Sequence, residues 1–456
     1  MAREPKGGSK LGRGQRRGIG GRLLSAGLAA AIALSLAGCS GPLAGIRNPF
    51  AKKKEILLGE RIPVITDPSL ANVDPVLAGK PIALPPAQAN ASWTQPGGTP
   101  SNNLGHLALN DQVQKVWSAD AGTGSSSSGR LSAEPLVADG KVYTLDAGGT
   151  VSAFSSANGA TLWSVSVTPE NERRKEGFGG GLALDGGHLF VTTGYGTVLG
   201  LDTGNGGILW TKSVGTPIRS SPTAAAGKIF FVSTDNVLHA LSGGDGQELW
   251  TARGLPQPAT LLSNVSPAVS AGFVVAPFPA GDVAAYEAGS GKAAWSESLT
   301  RSTETTASGI LGDPARPVID KGVVFAVSHG GKMTASSEAS GEWLWSRNVA
   351  STQMPWIAGD TIYVVDLGGK LLALARADGK VRWAVDLPGS TRWSGPVLAG
   401  GKLWLVSGDG VLVGADARTG QVATTLDLGT PVFVAPVVAG GRMYILADNA
   451  TLIALN

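Results

Sequence analysis

The chain contains 456 residues, including 66 Gly, 27 Pro and one Cys. Glycine is about twice as frequent as in an average protein, and 43% of the residues are hydrophobic against 16% charged. This composition excludes a chain that is disordered throughout, because it supplies enough apolar material for a large core. A single Cys also excludes an internal disulfide and a cysteine-rich zinc site.

The formal net charge of +3 is concentrated at the N-terminus. Residues 1–38 contain seven Lys and Arg and one Glu, so the rest of the chain has 30 basic and 33 acidic side chains, a net charge of −3. Nucleic acids and anionic membrane surfaces are bound by basic patches. The acidic remainder therefore predicts that nucleic acid is not a partner.

A basic segment ending at Arg22 is followed by a short apolar run over Leu23–Leu36. This order is typical of an export signal, and the run is too short for a comfortable spanning helix. The run ends in a pattern that resembles a bacterial lipobox, namely Leu36, Ala37, Gly38 and Cys39. We predict a lipoprotein signal peptide over residues 1–38, with Cys39 lipidated as the first mature residue. The alternatives are an ordinary signal peptide with a chance Cys, or twin-arginine export through Arg16 and Arg17.

Residues 39–92 show no sustained periodicity and are interrupted by eight prolines. We predict a mostly extended tether that begins at the lipidated Cys39, whose acyl chains supply the membrane affinity. Ser40 is not the Asp that retains lipoproteins in the inner membrane of enteric bacteria. We therefore expect a lipid anchor in the outer membrane of a Gram-negative bacterium, with the protein facing the periplasm. An alternative is that Glu55–Ile65 packs on the folded body as a strap.

One pattern recurs along residues 93–456, the predicted folded body. A small residue is followed by Gly six positions later and by Trp ten positions later. Between copies lie short β-branched or aromatic segments joined by turns that contain Gly or Asp, which are typical of strands and hairpins. Six copies are complete: Ala153/Gly159/Trp163, Gly200/Gly206/Trp210, Ala240/Gly246/Trp250, Ala285/Gly291/Trp295, Ala335/Gly341/Trp345 and Ala373/Gly379/Trp383. A seventh copy has Gly414 and Gly420 but Thr424 in place of Trp, and an eighth ends soon after Ala454.

A period of roughly 44 residues with four short strands per copy is typical of a propeller blade. The last copy lacks its fourth strand, while Gln112–Ala121 supplies a separate strand that contains Trp117. We therefore predict an all-β, eight-bladed β-propeller with four antiparallel strands per blade. Its last blade is closed by the N-terminal strand around Trp117, which leaves only short protected sheet edges.

The recurring indoles are predicted to be structural and to wedge between neighbouring blades. Seven large rings at one repeat position indicate packing rather than chemistry. They are Trp117, Trp163, Trp210, Trp250, Trp295, Trp345 and Trp383. Thr424 should mark the weakest blade junction if no other aromatic side chain fills its place. Trp93, outside the repeat, is expected to serve as a control residue in mutagenesis.

The sequence carries no recognisable catalytic or metal-binding motif. Gly194-Tyr195-Gly196 begins like a dinucleotide fingerprint but lacks the third Gly. The four His residues occupy different repeat positions without ligand-like spacing; they are His106, His188, His239 and His329. We therefore predict no catalytic residue, no metal and no cofactor. The mixed-charge run Glu170–Glu176 is predicted to be a solvated loop, with a partner contact as the alternative.

The Trp-containing frame resembles the Trp-docking repeat of quinoprotein-type propellers, which two classes of protein share. The lipobox, the slim blades, the phrase Arg316–Ala326 and the stretch Ile362–Leu374 are similar to the family of outer-membrane protein assembly factor BamB, a lipoprotein of the barrel-assembly machinery. The other class, the pyrroloquinoline-quinone dehydrogenases, usually carries large insertions, a calcium or lanthanide ion, a catalytic Asp and a vicinal disulfide. One Cys excludes that disulfide.

The BamB resemblance implies a non-enzymatic scaffold that docks on the POTRA domains of the barrel-forming subunit BamA. It further implies association with the other lipoproteins of the machinery and assistance in inserting unfolded outer-membrane proteins. By position, the docking loops are Ala259–Asn264 and Arg301–Pro314. The alternative functions are a pyrroloquinoline-quinone-dependent dehydrogenase and a propeller adaptor of another envelope complex.

Three residues of these loops are implied to contact the partner. Leu261 falls at an apolar position of the family's first loop, and Leu262 stands where the family has a basic residue. Asp313 lies within an acidic stretch of the family, although here it is a single acid between Gly and Pro. The alternative for Leu261 and Leu262 is that they begin a buried strand.

Overall fold

The computed structural model describes residues 72–456, except residues 128, 175–176, 255–263, 280 and 301–313. Within these residues, eight four-stranded antiparallel sheets form an eight-bladed β-propeller, and one short helix, α1 (Pro75–Ala78), precedes the first strand. The predicted fold class is therefore confirmed. The inner strands are almost entirely buried, whereas the outer strands alternate exposed and partly buried residues.

Seven blades each consist of four strands that are consecutive in the sequence. The strands of each blade are named from the central channel of the propeller outward. Blade 1 contains β2 (Leu136–Ala138), β3 (Lys141–Leu145), β4 (Thr150–Ser155) and β5 (Thr161–Ser166). Blade 2 contains β6 (Gly180–Asp185), β7 (His188–Thr193), β8 (Thr197–Asp202) and β9 (Ile208–Ser213). Blade 3 contains β10 (Thr223–Ala225), β11 (Lys228–Val232), β12 (Val237–Ser242) and β13 (Glu248–Arg253). Blade 4 contains β14 (Ala268–Val269), β15 (Phe273–Phe278), β16 (Asp282–Glu287) and β17 (Ala293–Ser298).

The same arrangement continues around the second half of the ring. Blade 5 contains β18 (Val318–Asp320), β19 (Val323–Val327), β20 (Met333–Ser337) and β21 (Trp343–Arg347). Blade 6 contains β22 (Trp356–Ala358), β23 (Thr361–Val365), β24 (Lys370–Ala375) and β25 (Val381–Asp386). Blade 7 contains β26 (Trp393–Ala399), β27 (Lys402–Ser407), β28 (Val411–Asp416) and β29 (Val422–Asp427). Blade 8 contains β30 (Val437–Ala439), β31 (Arg442–Leu446), β32 (Thr451–Leu455) and β1 (Lys115–Asp120).

The eighth blade is completed by the strand from the other end of the sequence. β1 pairs antiparallel with β32, and Trp117 lies opposite Ala454. The backbone N–H of Gln114 donates to the carbonyl of Asn456 at 3.0 Å, and the N–H of Asn456 donates back at 2.9 Å. The predicted closure of the last blade by the N-terminal strand is confirmed.

The repeated small residue is the cross-strand partner of the repeated Trp. In blade 2, Gly200 of β8 lies opposite Trp210 of β9, and a β-bulge follows Gly200. A Cβ at Gly200 would lie 2.5 Å from the Trp210 ring, so a larger side chain would displace the indole. The same pairing with Trp is made by Ala153, Ala240, Ala285, Ala335, Ala373 and Ala454.

The repeated Gly receives the indole of the preceding blade. Gly206 in blade 2 has a φ of +76°, and a Cβ there would lie 2.5 Å from the ring of Trp163 in blade 1. Trp163 Nε1 also donates to the carbonyl of Thr203 in the same turn at 3.2 Å. The other pairs are Trp117–Gly159, Trp210–Gly246, Trp250–Gly291, Trp295–Gly341, Trp345–Gly379 and Trp383–Gly420. All seven indoles therefore lie at seams between blades.

In blade 7, the place of the missing indole is covered from a neighbouring strand. Thr424 lies opposite Gly414, which in turn lies opposite Trp404 of β27. A Cβ at Gly414 would lie 2.8 Å from the Trp404 ring, and Trp404 is fully buried. In several other blades, the position equivalent to Trp404 carries a smaller ring. In blade 2 this residue is Phe190, whose ring centroid lies 6.1 Å from that of Trp210. Trp404 thus supplies the aromatic cover that Thr424 lacks.

Residues 90–107, which we name the inner circuit, run once around the channel near the ends of the inner strands. In chain order, the circuit bonds to the inner-strand segments of blades 8, 1, 2, 3, 4, 5, 6 and 7. The contacts are Asn90–Val438, Trp93–Val137, Thr94–Leu184, Gln95–Ala224, Pro100–Val269, Ser101–Ile319, Gly105–Trp356 and Leu107–Leu398. The end of the circuit meets the segment that precedes it, where Gln88 N donates to His106 O at 2.9 Å.

Trp93 belongs to this circuit and is not a surface residue. It is 1% exposed, and its ring stacks on Trp356 with the centroids 6.2 Å apart. The expectation that Trp93 can serve as a mutagenesis control is therefore wrong. Its burial was not visible in the sequence because its partners lie in distant blades.

The segment before the circuit also contacts the propeller. Asp74 caps α1, its N–H donates to the carbonyl of Val381 in β25 at 2.9 Å, and its carboxylate lies 3.1 Å from Lys380 Nζ. Part of the segment predicted as a tether, residues 73–92, therefore lies against the propeller. The earlier part of the tether, including the strap alternative at Glu55–Ile65, lies outside the described residues.

Candidate functional site

The residues predicted for lipidation and partner binding lie outside the described residues. This applies to Cys39 with its preceding lipobox residues and to Leu261, Leu262 and Asp313. The two docking loops nevertheless have described ends. The first joins β13 of blade 3 to β14 of blade 4, and the second joins β17 of blade 4 to β18 of blade 5.

Both loops connect the outer strand of one blade to the inner strand of the next. In a four-stranded antiparallel blade, all such connections lie on the face where the inner strands begin. We name this the cup face. The inner circuit lies toward the opposite end of the channel, where the inner strands finish.

The cup face opens into a cavity of about 700 Å³ on the propeller axis. Residues at or just before the inner strands of all eight blades line it, and Trp93 and Gly97 of the inner circuit contribute to its lining. A concave site of this volume is typical of small-molecule binding. The circuit therefore closes the far end of the cavity and makes it a cup.

A buried ion pair spans this cavity between opposite blades. The guanidinium of Arg316, which precedes the inner strand of blade 5, donates to the carboxylate of Glu134, which precedes the inner strand of blade 1. The Glu134 side chain is 5% exposed and that of Arg316 is 11% exposed. Gly97 N donates to the second Glu134 oxygen at 3.0 Å, which ties the pair to the inner circuit.

Asn264 holds the described end of the first docking loop at the rim of the cup. Its Oδ1 accepts from the N–H of Ser221 at 2.8 Å and from the Ser221 hydroxyl at 2.6 Å. Its Nδ2 donates to the carbonyls of Ser132 at 3.0 Å and Gly180 at 2.7 Å. One side-chain amide thus joins the segments that lead into blades 1 to 4. The backbone carbonyl of Asn264 accepts from Arg316 Nη2 at 3.0 Å.

Three further arginines line the cup: Arg130, Arg219 and Arg392. The Arg219 guanidinium lies 3.9 Å from the centroid of the Phe178 ring and donates to the Phe178 carbonyl at 3.1 Å. Burial lowers the pKa of the Arg219 guanidinium from its ordinary value. Among the described residues, none of these three arginines forms a salt bridge.

One cluster elsewhere has the residue types of a hydrolytic triad. In blade 3, Ser233 Oγ lies 3.0 Å from His239 Nε2, and His239 Nδ1 lies 3.8 Å from a Glu248 oxygen. The Ser233 side chain is buried, and its hydroxyl also donates to Asp235 at 2.5 Å. A nucleophile must reach a substrate carbonyl. This cluster therefore stabilises the hairpin between β11 and β12 and does not present an exposed nucleophile.

His239 is buried against Phe231, with parallel rings whose centroids lie 4.9 Å apart. Burial lowers the pKa of His239, and the nearby carboxylates of Glu248 and Asp235 oppose this change. The neutral imidazole is therefore the form that the folded state favours.

The described part of the chain contains no group of three or more His, Cys, Asp and Glu side chains arranged to hold a metal ion. None of its helices has the length and apolar character needed to cross a bilayer. In the predicted solvated loop, the described residues 170–174 are exposed, and the carbonyl of Arg173 accepts from the Tyr195 hydroxyl at 2.7 Å.

The cup was missed by reasoning from the sequence, although a weak signal exists. Glu134 is the only charged residue in the stretch 131–138, which leads directly into a buried strand. Arg316 likewise stands alone between Pro314 and Ile319. A single charge in an apolar stretch calls for a buried partner. The sequence does not reveal that these two residues are partners.

A family model described as outer membrane protein assembly factor BamB matches residues 91–174, 147–385 and 367–456. These matches extend over all eight blades and most of the inner circuit. BamB of Vibrio cholerae is 30% identical over 237 residues, which cover 52% of this chain and 60% of that protein. BamB of Escherichia coli K12 is 28% identical over 241 residues, which cover 52% and 61%.

BamB of Nitrosomonas eutropha is 26% identical over 219 residues, which cover 48% of this chain and 52% of that protein. The matched region thus spans between half and two thirds of the length of these curated relatives.

Solved structures share the fold at lower identity. BamB from Moraxella catarrhalis superposes with a TM-score of 0.64 at 15% identity, covering 76% of this chain and 100% of that chain.

A quinohemoprotein alcohol dehydrogenase from Comamonas testosteroni also superposes with a TM-score of 0.64, at 14% identity and with 81% of each chain covered. At these identities, superposition shows the propeller fold alone and does not separate the two classes. The family model is described as that of BamB, and its matches together extend over residues 91–456. The chain belongs to the family of outer membrane protein assembly factor BamB.

Proposed function

We propose that this protein is a non-enzymatic scaffold of the β-barrel assembly machinery, located on the periplasmic side of the outer membrane. The observation that carries the proposal is the BamB family match, which includes all eight blades. Its relatives in Vibrio and Escherichia are named assembly factors rather than enzymes. A closed ring with a rigidly held rim is suited to presenting loops to other proteins, because loops on a stable scaffold keep a fixed geometry.

The anchor in this proposal is a lipidated Cys39. It is the only Cys in the chain and directly follows the lipobox residues. Acyl chains attach a protein to a bilayer without a spanning helix. The variant Cys39→Ser should lose incorporation of labelled palmitate and leave the membrane fraction, whereas Ser40→Ala should retain both. Palmitate labelling of Cys39→Ser equal to wild type would contradict the assignment.

The docking surface in this proposal is the cup face around the connections from blade 3 to blade 4 and from blade 4 to blade 5. These loops would contact the POTRA domains of BamA, and the assembled complex would include the other lipoproteins and unfolded outer-membrane proteins in transit. Asn264 supports this role, since its five hydrogen bonds fix one end of the first loop to neighbouring blades. A fixed loop end lowers the entropy cost of docking.

Site-specific photocrosslinking in intact cells tests the docking surface. A photoreactive residue at Leu262 should crosslink to the barrel-forming subunit. The same probe at Arg418, in an exposed turn at the opposite end of the blades, should not. Equal crosslinking from both positions, or none from Leu262 in a complex that still copurifies, would place the interface elsewhere. If the tagged wild-type protein is recovered in mild detergent without the barrel-forming subunit, this result would count against membership of the machinery itself.

A further inference from the structure

The described residues that line the cup on the propeller axis carry a net positive charge, whereas the chain after residue 38 is net negative. Among the described residues, the ionisable lining of the cup consists of four arginines and two carboxylates, a net charge of +2, whereas the chain after residue 38 has a net charge of −3. The four arginines precede the inner strands of blades 1, 3, 5 and 7, so they are distributed around the axis. They are Arg130, Arg219, Arg316 and Arg392.

Both carboxylates of the cup are already engaged. Glu134 is paired with Arg316 and also accepts from the backbone of Gly97. Asp448 accepts from the hydroxyl of Ser125 at 2.5 Å. Among the described residues, Arg130, Arg219 and Arg392 are left without an acidic partner. Like charges gathered in a concave site oppose folding, so this arrangement is not explained by stability.

Arg219 is also held in place before any ligand arrives. Its guanidinium lies on the Phe178 ring and donates one hydrogen bond to the Phe178 carbonyl, which leaves its other N–H groups available. A planar guanidinium with several free donors suits carboxylate and phosphate oxygens. Fixing the side chain in advance reduces the entropy lost when such an anion binds.

We propose that the cup binds a small organic anion that carries two or more carboxylate or phosphate groups. The volume of about 700 Å³ is sufficient for such a molecule, and the inner circuit closes the other end, so that entry is from the cup face. Phe178, Phe433 and Met354 give the lining an apolar part that can cover a flat or apolar portion of the ligand. This site goes beyond the proposed scaffold role and does not depend on it.

Calorimetric titration of the purified mature protein tests the site. The probes are citrate, benzene-1,3,5-tricarboxylate and inorganic pyrophosphate, each at low ionic strength, where screening is weak. The test variant is Arg219→Gln combined with Arg392→Gln, and the matched control is Arg418→Gln, an exposed arginine at the opposite end of the blades. We expect the double variant to bind at least about tenfold more weakly than wild type, since two charge-assisted contacts are lost. The control should bind like wild type.

The three probes separate the possible sources of the anion. Binding of the two carboxylates alone identifies a carboxylate ligand, and binding of pyrophosphate alone identifies a phosphate ligand. Tighter binding of the aromatic tricarboxylate than of citrate, reduced by Phe433→Ala, would assign the apolar part of the cup. The proposal is overturned if no probe binds the wild-type protein, or if the double variant binds as tightly as wild type while showing the same thermal unfolding.

Discussion

Arg316 and Glu134 form a buried ion pair across the channel, from blade 5 to blade 1. These blades face each other in a ring of eight, so the pair is a direct cross-link between opposite sides of the propeller. The backbone N–H of Gly97 donates to Glu134, and the backbone carbonyl of Asn264 accepts from Arg316. The charges are thus satisfied only while all four segments stay together.

Removing one partner of this pair should destabilise the protein strongly. Arg316→Met leaves the Glu134 carboxylate buried without its cation, at a cost on the order of 3–5 kcal/mol. Urea unfolding followed by Trp fluorescence measures the loss. The double variant Glu134→Gln, Arg316→Met should recover part of it, because no buried charge remains. A loss below about 1 kcal/mol in Arg316→Met would indicate a pair that behaves as if exposed to solvent.

Truncating a seam indole should cost far more than truncating its exposed neighbour. Trp210→Ala removes the ring that packs on Gly246 of the next blade, and we expect a loss of about 3–5 kcal/mol. Leu209→Ala is the matched control, since Leu209 lies in the same strand and is 51% exposed. Similar shifts in the urea midpoint for the two variants would contradict a wedge role for Trp210.

The repeated Gly is constrained by the indole as well as by its backbone. Gly206 and Gly215 have φ values of +76° and +78°, but only Gly206 lies against an indole. An Ala at either position costs about 1–2 kcal/mol of backbone strain. Gly206→Ala should lose a further amount on the order of 1–3 kcal/mol, because its Cβ would meet the Trp163 ring. If Gly206→Ala and Gly215→Ala lower the unfolding temperature equally, the whole destabilisation comes from backbone strain at positive φ.

Restoring the missing indole at Thr424 should destabilise blade 7. Trp404 already covers Gly414, so Thr424→Trp places two indoles over one small residue. Overpacking of this kind costs about 1–3 kcal/mol. Adding Trp404→Tyr, which matches the smaller ring of other blades, should recover stability. A stabilised Thr424→Trp single variant would show that the space over Gly414 is not filled.

Stability should depend on pH through His239. Burial lowers the folded-state pKa of His239 below its ordinary value of 6.5, so the unfolded chain binds the proton more readily. The contribution of neutral His239 to the free energy of unfolding is therefore complete above pH 6.5, and it is lost as the pH falls through the folded-state pKa. His239→Gln should remove this part of the pH dependence of the urea midpoint, whereas His188→Gln should retain it. An unchanged pH profile in His239→Gln would assign the dependence to other groups.

The blade number and the ring closure were predictable because their determinants repeat. A small residue opposite Trp, and a Gly beneath the Trp of the preceding blade, are local requirements that each copy must meet. Their spacing is therefore written into the sequence. Even the missing fourth strand of the last copy identified Trp117 and its strand as the closing element.

The inner circuit and the cup were not predictable, because their contacts do not repeat. Gln95, for example, bonds to the backbone of Ala224, far away in the sequence. The cup arginines stand at different distances from the strands that follow them: Arg130 six residues before Leu136, and Arg316 two residues before Val318. These arginines therefore do not belong to the repeated sequence pattern. Only the folded ring brings them to one axis.

The position of the inner circuit has a consequence for biosynthesis. Ribosomes synthesise the N-terminal side first, yet Asn90 bonds to Val438 and Trp117 lies opposite Ala454, both in the eighth blade. Both early segments therefore stay unpaired with their final neighbours until blade 8 has been synthesised. A nascent chain stalled before blade 8 has no partner for β1, so the synthesis of β32 is the event that permits the ring to close.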